Sequence, residues 1–117
     1  MSANAGEDSC LFCKIVRSEI PADIVSQDSD WLAFRDINPQ APSHILVIPK
    51  KHVANVKECK DAGELGSLFK AATRVAEEEK LEEGFRLVVN TGDHGGQTVF
   101  HVHIHILGGR PLDWPPG

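Results

Sequence analysis

The chain has 117 residues, close to the usual size of one domain with a single hydrophobic core. Its 41% apolar and 25% charged residues are the proportions of an ordinary globular protein and exclude a disordered or fibrous chain. A formal net charge of −5 with no basic run argues against a surface that coats nucleic acid, and no apolar run reaches the ~18 residues of a membrane span.

Residues 1–8 are small and polar and are expected to be disordered, dividing the chain into a tail over 1–9 and a folded domain over 10–117. The tail lacks the basic n-region and apolar h-region of a secretory signal, so a cytoplasmic or nuclear location is expected. Three cysteines, an odd number, do not suggest a disulfide framework. Cys10-Leu11-Phe12-Cys13 is a C-x-x-C pair with no strand before it, unlike a thioredoxin-type redox site, and zinc is the better reading. Cys59 reads as an incidental, partly buried thiol.

Leu11, Phe12, Ile15 and Val16 follow helical spacing, which predicts a short helix capped by Ser9 and ending near Ile20-Pro21. Residues 24–27 and 31–36 flank Asp28-Ser29-Asp30 and predict a hairpin. Pro39 and Pro42 make residues 38–42 a turn. His44-Ile45-Leu46-Val47-Ile48 is a nearly continuous apolar run, as in a central strand, and Pro49 ends it. A short helix is expected within 53–59. Asp61 and Glu64 resemble a capping box, followed by an amphipathic helix to about Lys80 with Leu65, Leu68, Phe69, Ala72 and Ala76 on one stripe. Residues 85–91 are β-rich, 92–97 a Gly-rich loop, and 98–107 a last strand. This order predicts an α+β domain with a mainly antiparallel sheet. The tail from Pro111 cannot be helix or central strand, and Trp114 is expected to pack on its own domain or on a second subunit.

The last strand carries the chemistry. In His101-Val102-His103-Ile104-His105-Ile106-Leu107, successive side chains of a strand alternate faces. His101, His103 and His105 therefore share one face, about 7 Å apart, and Val102, Ile104 and Ile106 seal a core on the other. Imidazole can serve as nucleophile, base, donor or metal ligand near neutral pH. Spacing leaves two options open: a three-histidine metal site, or an imidazole nucleophile. Gly95-Gly96-Gln97-Thr98, just before, is a turn whose backbone can approach an anion.

With these residues laid out, the chain resembles the histidine-triad (HIT) family, in particular its Hint branch. The triad ribbon carries the resemblance, together with Phe12 to Pro21, Leu32-Ala33-Phe34 to Ile37, Ala41-Pro42 to His44, Leu46 to His52, Val89-Asn90, Gly95-Gly96-Gln97, Gly108-Gly109-Arg110 and the Trp-Pro-Pro-Gly ending. It spans roughly residues 10 to 117 and implies a HIT-like fold: a five-stranded antiparallel sheet with two helices, joined to a second copy's sheet in a homodimer. It implies a purine-nucleoside phosphoramidase that cleaves adenosine 5′-phosphoramidate and AMP-amine conjugates. His103 would be the nucleophile, nucleotidylated in passing; His105 and Thr98 would assist at the phosphate or the leaving amine. Asn90, Gly96, Gln97 and Thr98 would contact phosphate or ribose, and Asp36 with Ile37 the ribose. Leu11, Phe12, Ile15 and Phe34 would wall the purine, and His44 would orient the triad from behind. The resemblance also completes the zinc site, with Cys10 and Cys13 joined by His52 and His101 in a closed structural set. Animal Hint proteins lack the cysteines, so no cofactor is expected for catalysis itself. Two other functions fit the residues: a hydrolase with catalytic metal on His101, His103 and His105, and a nucleotide-binding scaffold with little turnover.

Overall fold

Period-two patterning sends two sets of apolar side chains to opposite faces of one sheet, and each face takes a helix. In the computed structural model, which describes residues 7–117, the strands are β1 (Ile24–Gln27), β2 (Trp31–Arg35), β3 (Ser43–Pro49), β4 (Phe85–Val88) and β5 (Ile104–Gly108). They form one antiparallel sheet in the order β1-β2-β3-β5-β4. The helices are α1 (Leu11–Val16), α2 (Ala62–Glu78) and a single turn, α3 (Gly92–Gly95). The predicted α+β class and five-stranded antiparallel sheet are what the chain adopts, with α1 and α2 as its principal helices.

Trp31, Ala33, Ile45, Val47, Ile104 and Ile106, with Val102 beside them, pack under Leu68, Ala71, Ala72, Val75 and Ala76 of α2. Leu32, Phe34, Leu46 and Ile48 belong to a second cluster with Cys10, Phe12, Cys13 and Ile15. β3 reads as a continuous apolar run because both of its faces are covered. The aliphatic half of the triad ribbon lies in the α2-side core, as alternation predicts, which leaves the histidines to the α1 side.

Several boundaries differ from expectation. The cap of α1 is Cys10 rather than Ser9: its Sγ accepts from Cys13 N at 3.4 Å. This helix stops at Val16, and Ser18 takes a φ of +63°. Asp61 caps α2 by accepting from Glu64 N at 3.1 Å, but the Glu64 carboxylate turns to Lys51 Nζ at 3.5 Å instead of closing the box. The buried stripe of α2 is rotated toward Ala71 and Val75, leaving Leu65 and Phe69 half-buried. Residues 53–59 hold only a 3₁₀ turn, Val56–Glu58, capped by Asn55. β5 starts at Ile104, not near 98: its ladder to β3 begins at the Val47–Ile104 pair, beyond which Pro49 has no N–H to offer and Val102 N turns to the Val53 carbonyl at 2.6 Å. Of the expected disordered tail over 1–9, Glu7–Ser9 form a 3₁₀ turn and residues 1–6 lie outside those described. Of the two places expected for Trp114, its own domain or a second subunit, it does not take the first: it is 79% exposed, with the Arg86 guanidinium 6.0 Å from its ring.

Gly109 turns the chain out of β5 with a φ of +94°, and a Cβ there would stand 2.9 Å from Pro42 Cβ. Gly109→Ala is expected to destabilise the fold by about 1–3 kcal/mol through backbone strain and contact with Pro42. The check is a lower urea midpoint at unchanged m; an unmoved midpoint would mean the turn relaxes freely.

Candidate active site and metal centre

The imidazoles of residues 101–105 end in three environments, and hydrogen bonds around each ring fix which nitrogen carries the proton. His103 Nδ1 lies 2.7 Å from the His101 carbonyl oxygen. A carbonyl only accepts, so Nδ1 bears the hydrogen and Nε2 keeps its lone pair. His105 is set by a relay. Gln40 N–H donates to His44 Nδ1 at 3.0 Å, which leaves the hydrogen of neutral His44 on Nε2. That nitrogen is 2.9 Å from His105 Nδ1, so His105 accepts there and carries its own hydrogen on Nε2. The His103 and His105 rings lie 5.0 Å apart, one with a bare nitrogen and the other with an N–H. Asp36 Oδ2 lies 3.5 Å from His44 Nε2, and Asp36 Oδ1 accepts from Asn38 N at 2.8 Å.

His101 turns away from this pair. Its Nε2 donates to the Pro49 carbonyl at 2.8 Å, and Nδ1 stands 3.3 Å from Cys10 Sγ and 3.5 Å from Cys13 Sγ. His52 Nδ1 is 3.3 Å from Cys13 Sγ, and all four donor atoms lie within 4.8 Å of one another. Tetrahedral zinc, with Zn–S of about 2.3 Å and Zn–N of about 2.0–2.1 Å, requires N···S separations of about 3.5 Å. Donor type, spacing and the outward N–H of His101 all fit a closed Cys₂His₂ zinc site.

The rings do not meet the other expectation, a catalytic metal on three histidines. His101 belongs to the cysteine set and His105 to a group with Asp36 and His44; among the described residues His103 joins neither group. The Asp36–His44–His105 group is itself a poor metal site. A ligating imidazole donates its far N–H to an acceptor, whereas the far nitrogen of His44 accepts from Gln40.

The remaining predicted residues divide into exposed or half-buried ones and buried ones. Asn90 stands at the Gly-rich turn, its side-chain nitrogen 3.9 Å from where a Gly96 Cβ would be, and Gly96 closes α3 with a φ of +86°. Thr98 and Leu11 are exposed, and Ile37 beside Asp36 is fully so. Phe12, Ile15 and Phe34 are buried, so they form a floor rather than an open wall. Phe12 meets Phe34 edge-on at 5.4 Å and His103 at 5.1 Å, buttressing the His103 ring. Gln97, expected at the nucleotide, turns inward and bonds only to main chain. Sequence reasoning missed the carbonyls of Pro49 and His101 and the amide of Gln40; main-chain groups leave no mark in residue type. A cavity of about 570 Å³ between residues 80–86 and 109–112 contains none of these residues.

Burial keeps the histidines neutral. It pushes His103 below the usual imidazole range, against the opposing bond to the His101 carbonyl and the Asp36 charge. It lowers His44 as well, opposed by Asp36. His105 is pushed down to about 4, by burial first and then by His103 and His44. His101 also falls to about 4, chiefly by burial, against the bond to Pro49. Neutral rings are what a nucleophile and a metal ligand require.

A family model described as the HIT domain matches residues 17–112. An uncharacterised HIT-like protein of Synechococcus elongatus is 55% identical over 112 residues, covering 94% of this chain and 98% of its own. A 14 kDa zinc-binding protein of Zea mays is 49% identical, over 92% of this chain and 87% of its own. Among solved structures, a HIT family hydrolase from Legionella pneumophila superposes with a TM-score of 0.89 at 51% identity, over 92% of this chain and 99% of that one. A histidine triad nucleotide-binding protein from Candida albicans gives 0.79 at 31% identity, over 92% and 83%.

The lowered histidines tie stability to pH. An unfolded imidazole titrates near ~6.5, whereas folded His105 does so at about 4. Between these values the unfolded chain binds protons that the folded chain refuses, so stability is full above the unfolded value and falls as pH drops toward 4. Chelator-treated protein is expected to lose unfolding free energy from pH 7 to 5, each such histidine adding a slope of up to ~1.4 kcal/mol per pH unit. His105→Gln should flatten the profile. A level profile in the parent protein would contradict the neutral assignment.

Proposed function

We propose the function from one premise: the chain belongs to the histidine-triad (HIT) family. Within it we read the chain as a Hint-type nucleotide hydrolase, a purine-nucleoside phosphoramidase that releases AMP and an amine from adenosine 5′-phosphoramidate and related conjugates. The observation that carries this reading is the bare Nε2 of His103, left so by the 2.7 Å bond from its Nδ1–H to the His101 carbonyl. His103 Nε2 attacks phosphorus as the P–N bond breaks; the departing nitrogen takes up a proton that comes from solvent water and leaves as the neutral amine, while the nucleotidyl group stays on the ring. Positive charge then develops on the imidazole and is eased by that same carbonyl. Water attacks the phosphorus next, freeing AMP and the neutral ring. His105, neutral with its hydrogen on Nε2, donates a hydrogen bond toward a phosphoryl oxygen or the departing amine, and the Thr98 hydroxyl relays the solvent proton to that amine, a proton-transfer contribution of about 10²–10⁴-fold. The Gly96 turn with Asn90 receives phosphate, Asp36 the ribose hydroxyls, and Leu11 and Ile37 the purine above the Phe12–Phe34 floor.

Cys10, Cys13, His52 and His101 hold zinc in this reading. With no open position the metal is structural: it fastens α1 and the start of the triad ribbon to the segment after β3. The protein acts as a homodimer with the two sheets joined. Of the free edges, β1 carries a register shift between Ile24 and Ser26, the irregularity that blocks edge pairing. β4 pairs in regular register and keeps Phe85 39% exposed, so β4 is the joining edge.

His103→Ala is expected to abolish turnover while AMP affinity stays within about tenfold, ~1.4 kcal/mol, and acid quench of the parent enzyme should trap nucleotidyl-histidine. Turnover surviving in His103→Ala would remove this residue from the nucleophile role. Metal analysis should give about one zinc per chain, and light scattering a dimer; thiols intact without zinc, or a monomer at micromolar concentration, would refute those two parts.

A further inference from the structure

The main chain from the end of β3 onward carries more of the site than its residue types suggest. Pro49 O accepts from His101 Nε2 at 2.8 Å, and Val53 O accepts from Val102 N at 2.6 Å. His52 contributes to the Cys₂His₂ set, and Ala54 O accepts from Gln97 Nε2 at 2.7 Å. Residues 49–54 thus act as a strut that meets the metal centre, the ribbon holding His103, and the Gly-rich turn. Gln97 makes the last connection. Its side chain is buried at 5% exposure, Oε1 accepts from Gly92 N at 3.0 Å, and Nε2 donates to Val99 O at 3.1 Å as well as to Ala54 O. Both hydrogens of the carboxamide nitrogen are therefore committed to main-chain carbonyls, none to a ligand. The two local bonds grip the turn at its beginning and beyond its end; the third crosses to the strut.

We propose that Gln97 is a positioning residue: its carboxamide fastens the Gly92–Gly96 turn to the strut bearing His52, so that the metal centre and the phosphate-receiving turn share one support. This rests on the phosphate-site reading above for its functional consequence, but not for the mechanical link. The residue type suits the task. Glutamine offers an acceptor to Gly92 N–H and two donors to carbonyls at once, whereas an isosteric glutamate keeps the acceptor and sets an oxygen against Ala54 O. A turn steadied by phosphate also steadies, through Gln97 and Ala54, the strut that bears His52, so phosphate on the turn should slow loss of metal from the centre.

The test uses the zinc-loaded protein, the same protein stripped by chelator, and Gln97→Glu and Gln97→Ala. Hydrogen exchange is followed across residues 91–100, with α2 as the internal control for folding. Stripping the metal is expected to speed exchange in the turn by about tenfold or more while α2 stays protected, and Gln97→Glu to do the same with metal bound. Gln97→Glu should weaken AMP about tenfold or more but leave adenosine within about threefold. AMP should slow zinc transfer to a chelator in the parent protein and not in Gln97→Glu. An unaltered turn in both the stripped protein and the variant, equal weakening of AMP and adenosine, or failure of the parent chain to take up zinc overturns the proposal. If the variants do not fold, the stripped parent protein decides it alone. If the parent protein neither binds AMP nor turns over a phosphoramidate, the function reading fails, and the exchange and zinc-transfer rates, with inorganic phosphate in place of AMP, still decide the link.

Discussion

One hydrogen bond, from His103 Nδ1–H to the carbonyl of His101, governs how the rest of the site is arranged. Imidazole has two nearly equivalent tautomers in water, and this 2.7 Å contact selects the one with Nε2 bare. The carbonyl belongs to the residue whose own ring faces Cys10 and Cys13, so whatever holds His101 also aims the acceptor that holds His103. Side chain and backbone of one residue thereby tie a metal centre to the ring of His103. The floor under His103 comes from the same source: Cys10 caps α1, and the Phe12 ring next to it meets His103 edge-on.

His105 is controlled by a separate chain of contacts, beginning at a backbone amide. Gln40 N–H leaves His44 only one nitrogen to protonate, and His44 in turn leaves His105 only one. Two neighbouring rings thus acquire opposite hydrogen-bonding roles, although they are the same residue type two positions apart. The same direction of donation rules the Asp36–His44–His105 group out as a metal site, despite donor atoms close enough to suggest one.

The sequence showed the parts of the fold that depend on side-chain period. Alternation placed Ile104 and Ile106 in the α2-side core and left the histidines for the opposite face, and the unbroken run of β3 matched a strand covered on both sides. C-x-x-C pointed to zinc, yet His52 and His101 came as ligands from family resemblance, not from spacing. What stayed hidden was carried by main chain. The carbonyls of Pro49, Val53 and Ala54 receive His101, Val102 and Gln97, and any residue type could supply them. Gln97 shows why: its neighbours in sequence are exposed glycines and a threonine, while its own buried side chain bonds to the main chain of Gly92 and Val99 and, across the fold, of Ala54. The strand start at Ile104 was equally invisible, because it depends on Pro49 in another strand.

The most direct measurement of the central claim is the tautomer of His103, read from long-range ¹H–¹⁵N correlations of the imidazole at neutral pH in the ligand-free, zinc-loaded protein. The expected result is a protonated Nδ1 and a bare, pyridine-like Nε2. A proton on Nε2, or a doubly protonated ring, would contradict it.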